Sequence, residues 1–346
     1  MKSSLVHILT INLLAGLLFS CSLIDEKVSE CEVESSVAYE LQLVTNFATE
    51  IQTELDQVED IPVATALENY LKPVFTDFAH DIDLSFYDVV GDSLRLFHHR
   101  LIVDASETNY PLSIPTNRYM HMGVANLEGQ DAVSLVGDEN CHGSRLHQVV
   151  ADTIPIHKKG IFTSRKEMVI QRGLSQEFDV HLYMSNCASA LVLDTLGSSV
   201  KDIRVFTSGF ATDFDVADSL YQFLYTPIVR AEKVDVGNEP GSQLCFVSVN
   251  FPSRQELPSK AVIDSPDPSV STEESEGLWE IRVLATLPDD TVTLTRLLVS
   301  KPLKPGQFRA IKGIVYDDGS LEPSDATITV SVSLDWKPGT EHVIVL

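Results

Sequence analysis

Apolar residues in this chain mostly alternate with polar ones in short runs, and Gly, Pro and Asp punctuate the gaps. The first run carries Leu41 and Leu43 after Tyr39 and predicts a strand. A change of period follows. Val63, Leu67 and Leu71 recur at helical spacing, with Asp60 as a cap, Pro62 in the first turn and Pro73 as a stop, which predicts an α-helix. Ile82 to Tyr87 and Leu94 to Val103 return to strand patterning around Val90-Gly91-Asp92-Ser93, a hairpin signal. Tyr119 to Leu127 and a polar, Gly-containing stretch through Cys141-His142-Gly143 finish the first half.

A second start follows Lys158-Lys159-Gly160. Met168 to Ile170, the alternating Phe178, Val180, Leu182 and Met184, Ala190 to Leu193, and Gln243 to Phe251 predict strands, with a short helix expected over 215–223. The acidic, proline-containing stretch 264–277 has no core to bury and predicts a loop. Leu278 to Val283, Val292 to Val299, Arg309 to Tyr316, Ile328 to Leu334 and His342 to Leu346 then follow one another across turn signals such as Pro288-Asp289-Asp290 and Asp317-Asp318-Gly319. Such spacing, too dense in turns for α/β units, predicts an all-β chain of antiparallel sandwiches with one or two short helices. The expected division is a leader over 1–20, a tether over 21–35, a first sandwich over 36–159 and a second over 160–346.

The leader changes the picture most. A basic start at Lys2, an apolar run from Leu5 to Phe19 and the small Ser20 make a secretory signal, too short to cross a bilayer as a helix. Cys21 directly after Ser20 resembles the lipobox of bacterial lipoproteins, which implies cleavage between Ser20 and Cys21 and acylation of Cys21. One acyl chain, at about 0.8 kcal/mol per buried methylene, binds a bilayer marginally, whereas two or three hold a soluble domain in place. Ser22 stands where an Asp would argue for inner-membrane retention, and Asp25-Glu26 resembles the acidic export signal of surface lipoproteins in Bacteroidetes. The expected location is the outer membrane, lipid-anchored and surface-exposed.

A chain of 346 residues is long for one core, and 44% hydrophobic residues exclude wholesale disorder. Without the first 20 residues, which hold one lysine and no acid, 24 basic side chains face 50 acidic ones. Nucleic acid is therefore not an expected partner, since phosphate binding needs a basic face and no Lys/Arg cluster exceeds Lys158-Lys159. Of five cysteines, four remain once Cys21 is lipidated: Cys31, Cys141, Cys187 and Cys245. They allow two disulfides in three pairings, with Cys31 to Cys141 and Cys187 to Cys245 preferred. Buried free thiols are the alternative for Cys187 and Cys245, which sit in apolar runs.

Catalytic patterns are sparse. Gly91-Asp92-Ser93-Leu94 matches the nucleophile block of GDSL hydrolases, but the Asp-x-x-His pair such an enzyme needs downstream occurs only upstream, at Asp77 and His80. Gly-Asp-Ser is standard turn chemistry, and the hairpin turn is the preferred reading. His98-His99 puts two rings on opposite faces of a strand, which does not suit one zinc ion, and Asp317-Asp318-Gly319 lacks the later carboxylates of a calcium loop. No metal, cofactor or catalytic residue is expected. Trp279 and Trp336 are the two tryptophans available for stacking on a sugar.

In order along the chain, the lipobox, the acidic tether with Cys31, Phe86-Tyr87-Asp88 in the first half, and Leu278-Trp279-Glu280-Ile281, Lys301 to Gln307, Tyr316 to Ser320 and Val330 to Trp336 near the end resemble the fimbrial anchor family of Bacteroidales. The resemblance spans the chain and rests on strand and turn patterns. It implies two tandem transthyretin-like Greek-key sandwiches, no catalysis, and a role holding a fimbrium, or pilus, on the outer membrane for cell adhesion. Related shaft and tip subunits lose their first strand to a protease and accept a neighbour's strand; an anchor keeps its first strand and its lipid. The implied partner is the fimbrial shaft subunit, met by β-strand addition. His342, Val343, Ile344, Val345 and Leu346 form the candidate edge or donor strand, with closure of its own sheet as the alternative. A surface lipoprotein that binds glycans is the competing class, and a GDSL hydrolase the third.

Overall fold

The computed structural model describes residues 34–44, 61–75, 80–102, 109–195, 197–237, 243–256, 278–324 and 341–345. In chain order these form β1 (Glu34–Val44), α1 (Ile61–Val74), β2 (Asp81–Asp88), β3 (Arg95–Ile102), β4 (Asn109–Pro115), β5 (Arg118–Ala125), β6 (Val133–Val136), β7 (Arg145–Gln148), β8 (Phe162–Val169) and β9 (Gln176–Met184). There follow β10 (Cys187–Asp194), β11 (Asp202–Ser208), β12 (Asp213–Asp215), β13 (Leu220–Gln222), β14 (Val229–Arg230), β15 (Glu232–Val234) and β16 (Gln243–Asn250). The chain ends with β17 (Trp279–Thr286), β18 (Val292–Val299), β19 (Phe308–Val315), β20 (Leu321–Pro323) and β21 (Glu341–Val345). The all-β sandwich class expected from the strand spacing is the class found.

Four sheets among the described residues carry these strands. Their orders are β3-β2-β5-β8-β9-β1-β4, β15-β16-β10-β19-β20, β14-β11-β17-β18-β21 and β13-β12-β7-β6. Pairing is mostly antiparallel, but β1 lies parallel to β9, β10 to β19, and β18 to β21.

Three hydrophobic cores hold the layers together. The first joins α1, through Val63, Leu67 and Leu71, to one face of the first sheet at Ile82, Leu84 and Leu182 and to one face of the second at Ala190, Val192 and Cys245. The predicted helical stripe is therefore the buried one, and each of its three residues contributes about 1.5–3 kcal/mol. The second core fills the space between the other face of the second sheet, at Leu191 and Leu193, and the third sheet, at Val205, Ile281 and Val283. The third lies on the opposite face of the first sheet, where Tyr87, Met122 and Val124 meet Leu146 and Phe214 of the small sheet.

Three expectations need correction. Glu34 and Ser35, expected in the tether, open β1 and pair with Pro115 and Ile114. Strands β8 and β9, expected in a second sandwich beginning at 160, pair with β5 and β1 in the first sheet, so the change of sheet falls between Met184 and Cys187. The helix expected over 215–223 is a hairpin, β12 against β13: Asp215 Oδ1 accepts from the Asp218 amide at 3.1 Å and Ser219 takes φ 55°, a turn that breaks helical spacing. The small sheet thereby unites β6 and β7 of the first half with β12 and β13 of the second. The strand expected at 328–334 lies outside the described residues.

Candidate functional site

Ser20, Cys21 and Cys31 lie outside the described residues, as does Trp336. Cys141, Cys187 and Cys245 are buried free thiols. The preferred pairing of Cys187 with Cys245 is excluded by register and by face. Cys245 stands opposite Val192 while Cys187 stands opposite Asn250, an offset of five residues or about 17 Å along the strands. A disulfide needs Cα atoms within about 7 Å. Cys187 also faces the core shared with the third sheet, and Cys245 the core shared with α1. Burial raises the Cys187 thiol well above its ordinary range and pushes Cys245 up to about 12, so neither is a nucleophile.

Of the C-terminal run, His342 to Val345 belong to β21, which pairs parallel with β18, Thr295 opposite His342 and Leu297 opposite Ile344; Leu346 lies outside the described residues. Among the described residues this strand stands last in its own sheet, beyond β18. Among the described residues β3 stands at one end of the first sheet, and Leu94 just before it and Leu96 within it are each about half accessible.

The remaining candidates are structural. Ser93 sits at φ 58° in the β2–β3 connection, its carbonyl accepting from the Cys141 amide at 2.8 Å, while Asn140 Nδ2 donates to the Asp92 carbonyl at 2.8 Å. This pins the Gly-Asp-Ser turn against the loop before β7. His98 and His99 do point oppositely: His98 Nε2 lies 2.7 Å from Asp83 Oδ2, and His99 stacks beside Phe97. Asp318 Oδ1 accepts from the Ser320 amide and hydroxyl at 2.9 and 2.6 Å, with Gly319 at φ 76°, a hairpin turn. Trp279 is 1% exposed and donates to the Lys301 carbonyl at 3.0 Å, so it is core and not a sugar platform. Among the described residues no group of three or more His, Cys, Asp or Glu is placed to hold a metal ion.

Two open surfaces stand out among the described residues. One is a cleft of about 440 Å³ where β8 and β9 meet the β12–β13 hairpin, with Arg165, Tyr183, Phe214 and Tyr221 around it. The other is the outer face of the third sheet. There Glu280, 6% exposed, accepts from Ser208 at 2.7 Å and from Arg296 Nε at 2.9 Å, and pairs with both Arg282 and Arg296. Burial pushes the Glu280 carboxyl up, but Arg282, the Ser208 hydroxyl and Arg296 together hold it below its ordinary value. Sequence reasoning missed this cluster, although the alternation Glu280, Arg282 within β17 carried the signal.

No family model matches the chain, and no curated protein matches it. Among solved structures, a candidate adhesin from Bacteroides ovatus aligns over 86% of this chain and 95% of its own, at 10% identity and a TM-score of 0.51. This chain has that fold. The fimbrial anchor protein Mfa2 from Porphyromonas gingivalis aligns over 90% of this chain and 99% of its own at 10% identity, with a TM-score of 0.48. A candidate adhesin from Bacteroides thetaiotaomicron aligns over 90% and 98% at 7% identity, with a TM-score of 0.49. The fold assignment rests on the first of these.

Proposed function

We propose that this protein is a non-catalytic lipoprotein of the outer membrane that anchors a fimbrium and supports cell adhesion. Cys21 carries the lipid, the residues after it give reach, and the β-modules meet the shaft subunit by strand pairing. The observation that carries this reading is β21, held parallel to β18 at the end of its sheet, where no described strand of this chain takes its second edge and main-chain hydrogen bonds to another chain could form. The shared fold with a candidate adhesin supports it, as do the leader and the lipobox-like Ser20-Cys21.

The test is co-purification from outer membranes of the native organism. A β-rich polymerising partner should travel with the full chain, and cells lacking the protein should shed their fibres. Deleting 341–346 should weaken that attachment. Normal attachment after the deletion removes the β21 version, and an unmodified Cys21 by mass spectrometry removes the anchor.

A further inference from the structure

In a chain with two acids for every base, bases outnumber acids on the outer face of the third sheet: Arg204, Arg230, Arg282 and Arg296 stand there against Asp202, Glu280 and Glu341, the last opposite Leu294 at the start of β21. Strand register puts three of these arginines in one line. Arg230 of β14 is opposite Phe206 of β11, Phe206 is opposite Arg282 of β17, and Arg282 is opposite Arg296 of β18. Residues directly opposite share a face and lie about 5 Å apart, so the line runs roughly 15 Å across the strands. Phe206 and the arginines belong to none of the three cores, and the neighbouring Thr207, Ile281 and Val283 point the other way, into the sandwich.

Arg282 and Arg296 both pair with Glu280 and still keep side-chain exposures of 31% and 26%. Arg204 approaches Asp202 only at 3.8 Å, and Arg230 is exposed with no ion pair among the described residues.

We propose that this face binds an acidic polysaccharide, with a sugar ring laid on Phe206 and its anionic groups taken by Arg230 on one side and by Arg282 and Arg296 on the other. An aromatic ring offers an apolar face to the C–H side of a pyranose, and guanidinium forks grip carboxylate, sulfate or phosphate through paired N–H donors. Cation, ring, cation in adjacent register is the order such a polymer needs. An acidic polypeptide would satisfy the arginines but would leave the ring without a role. The Glu280 carboxylate holds Arg282 and Arg296 in place, so the site is organised before the ligand arrives.

The site is separate from β21 attachment and is tested on the purified chain alone. Polygalacturonate is titrated by calorimetry, with dextran as the neutral control and poly-glutamate as the acidic peptide. Polygalacturonate should bind, more weakly as salt rises, and dextran should not. Arg230→Ala and Phe206→Ala should each lower the affinity at least tenfold, while Lys158→Ala, in the first half of the chain, leaves it unchanged; circular dichroism checks that each variant is folded. Absence of polygalacturonate binding overturns the proposal, and so does binding that both variants retain. Poly-glutamate binding as tight as polygalacturonate, and indifferent to Phe206→Ala, would assign the face to acidic protein instead.

Discussion

Nδ1 of His147 lies 2.8 Å from Oδ1 of Asp213, directly opposite it where β7 of the first half pairs with β12 of the second. Asp213 is fully buried, and Arg145 Nε approaches the same oxygen at 3.5 Å. Asp213→Ala removes an acceptor that serves two strands from different halves, while His147 and Arg145 remain accessible enough to regain water. A loss of about 1–3 kcal/mol is expected, read as a lower urea midpoint. Adding His147→Ala to that variant should cost little more, because the two residues act as one unit.

Acid should weaken the fold through two buried imidazoles. Desolvation lowers His157 to about 3, and the same cause, against a hydrogen bond that His121 Nδ1 donates to the Ser85 carbonyl, lowers His121 to about 3. An unfolded histidine titrates near 6.5, so between about 6.5 and about 3 the unfolded chain holds protons the native chain refuses, and stability falls as pH drops through that window. Above it both states are neutral and these groups add no pH dependence. His157→Phe, which keeps a ring edge-on to Phe251, should flatten the acid limb by about 1.4 kcal/mol per pH unit at most. Urea midpoints at pH 7, 5.5 and 4 give the slopes, and identical slopes in the two proteins would show that His157 does not titrate on unfolding.

Gly209 adopts φ 91°, and a Cβ there would sit 2.6 Å from the Trp279 Cα and 2.8 Å from the Leu278 carbonyl oxygen. Gly209→Ala meets both a left-handed backbone and a backbone collision that no side-chain rotation relieves. A loss of at least about 2 kcal/mol follows, visible as a drop of several degrees in the melting temperature. A variant as stable as the parent would mean that β17 shifts freely, contrary to the packing of Trp279 on Phe210 at 5.6 Å.

Cys187 and Cys245 should resist thiol reagents in the native protein and react together once urea unfolds it. Peptide mapping without reductant should find no crosslink between them. Such a crosslink would require β10 and β16 to slip by five residues and one of them to turn over.

Strand and helix periodicity was local information, and the sequence determined it. The alternation in β9, the stripe of α1 and the turns at Asp289-Asp290 and Asp318-Gly319 needed only neighbouring residues, because side-chain direction follows backbone period. Only the tertiary structure decided which strands meet: β1 beside β9, β10 beside β19, and β7 beside β12. Ladder hydrogen bonds are made by backbone groups common to all residues, so nothing in the composition of a strand names its partner. For the same reason the two cysteines in adjacent strands looked like a pair until register and face separated them, and the arginine line appeared only when β14, β11, β17 and β18 were laid side by side.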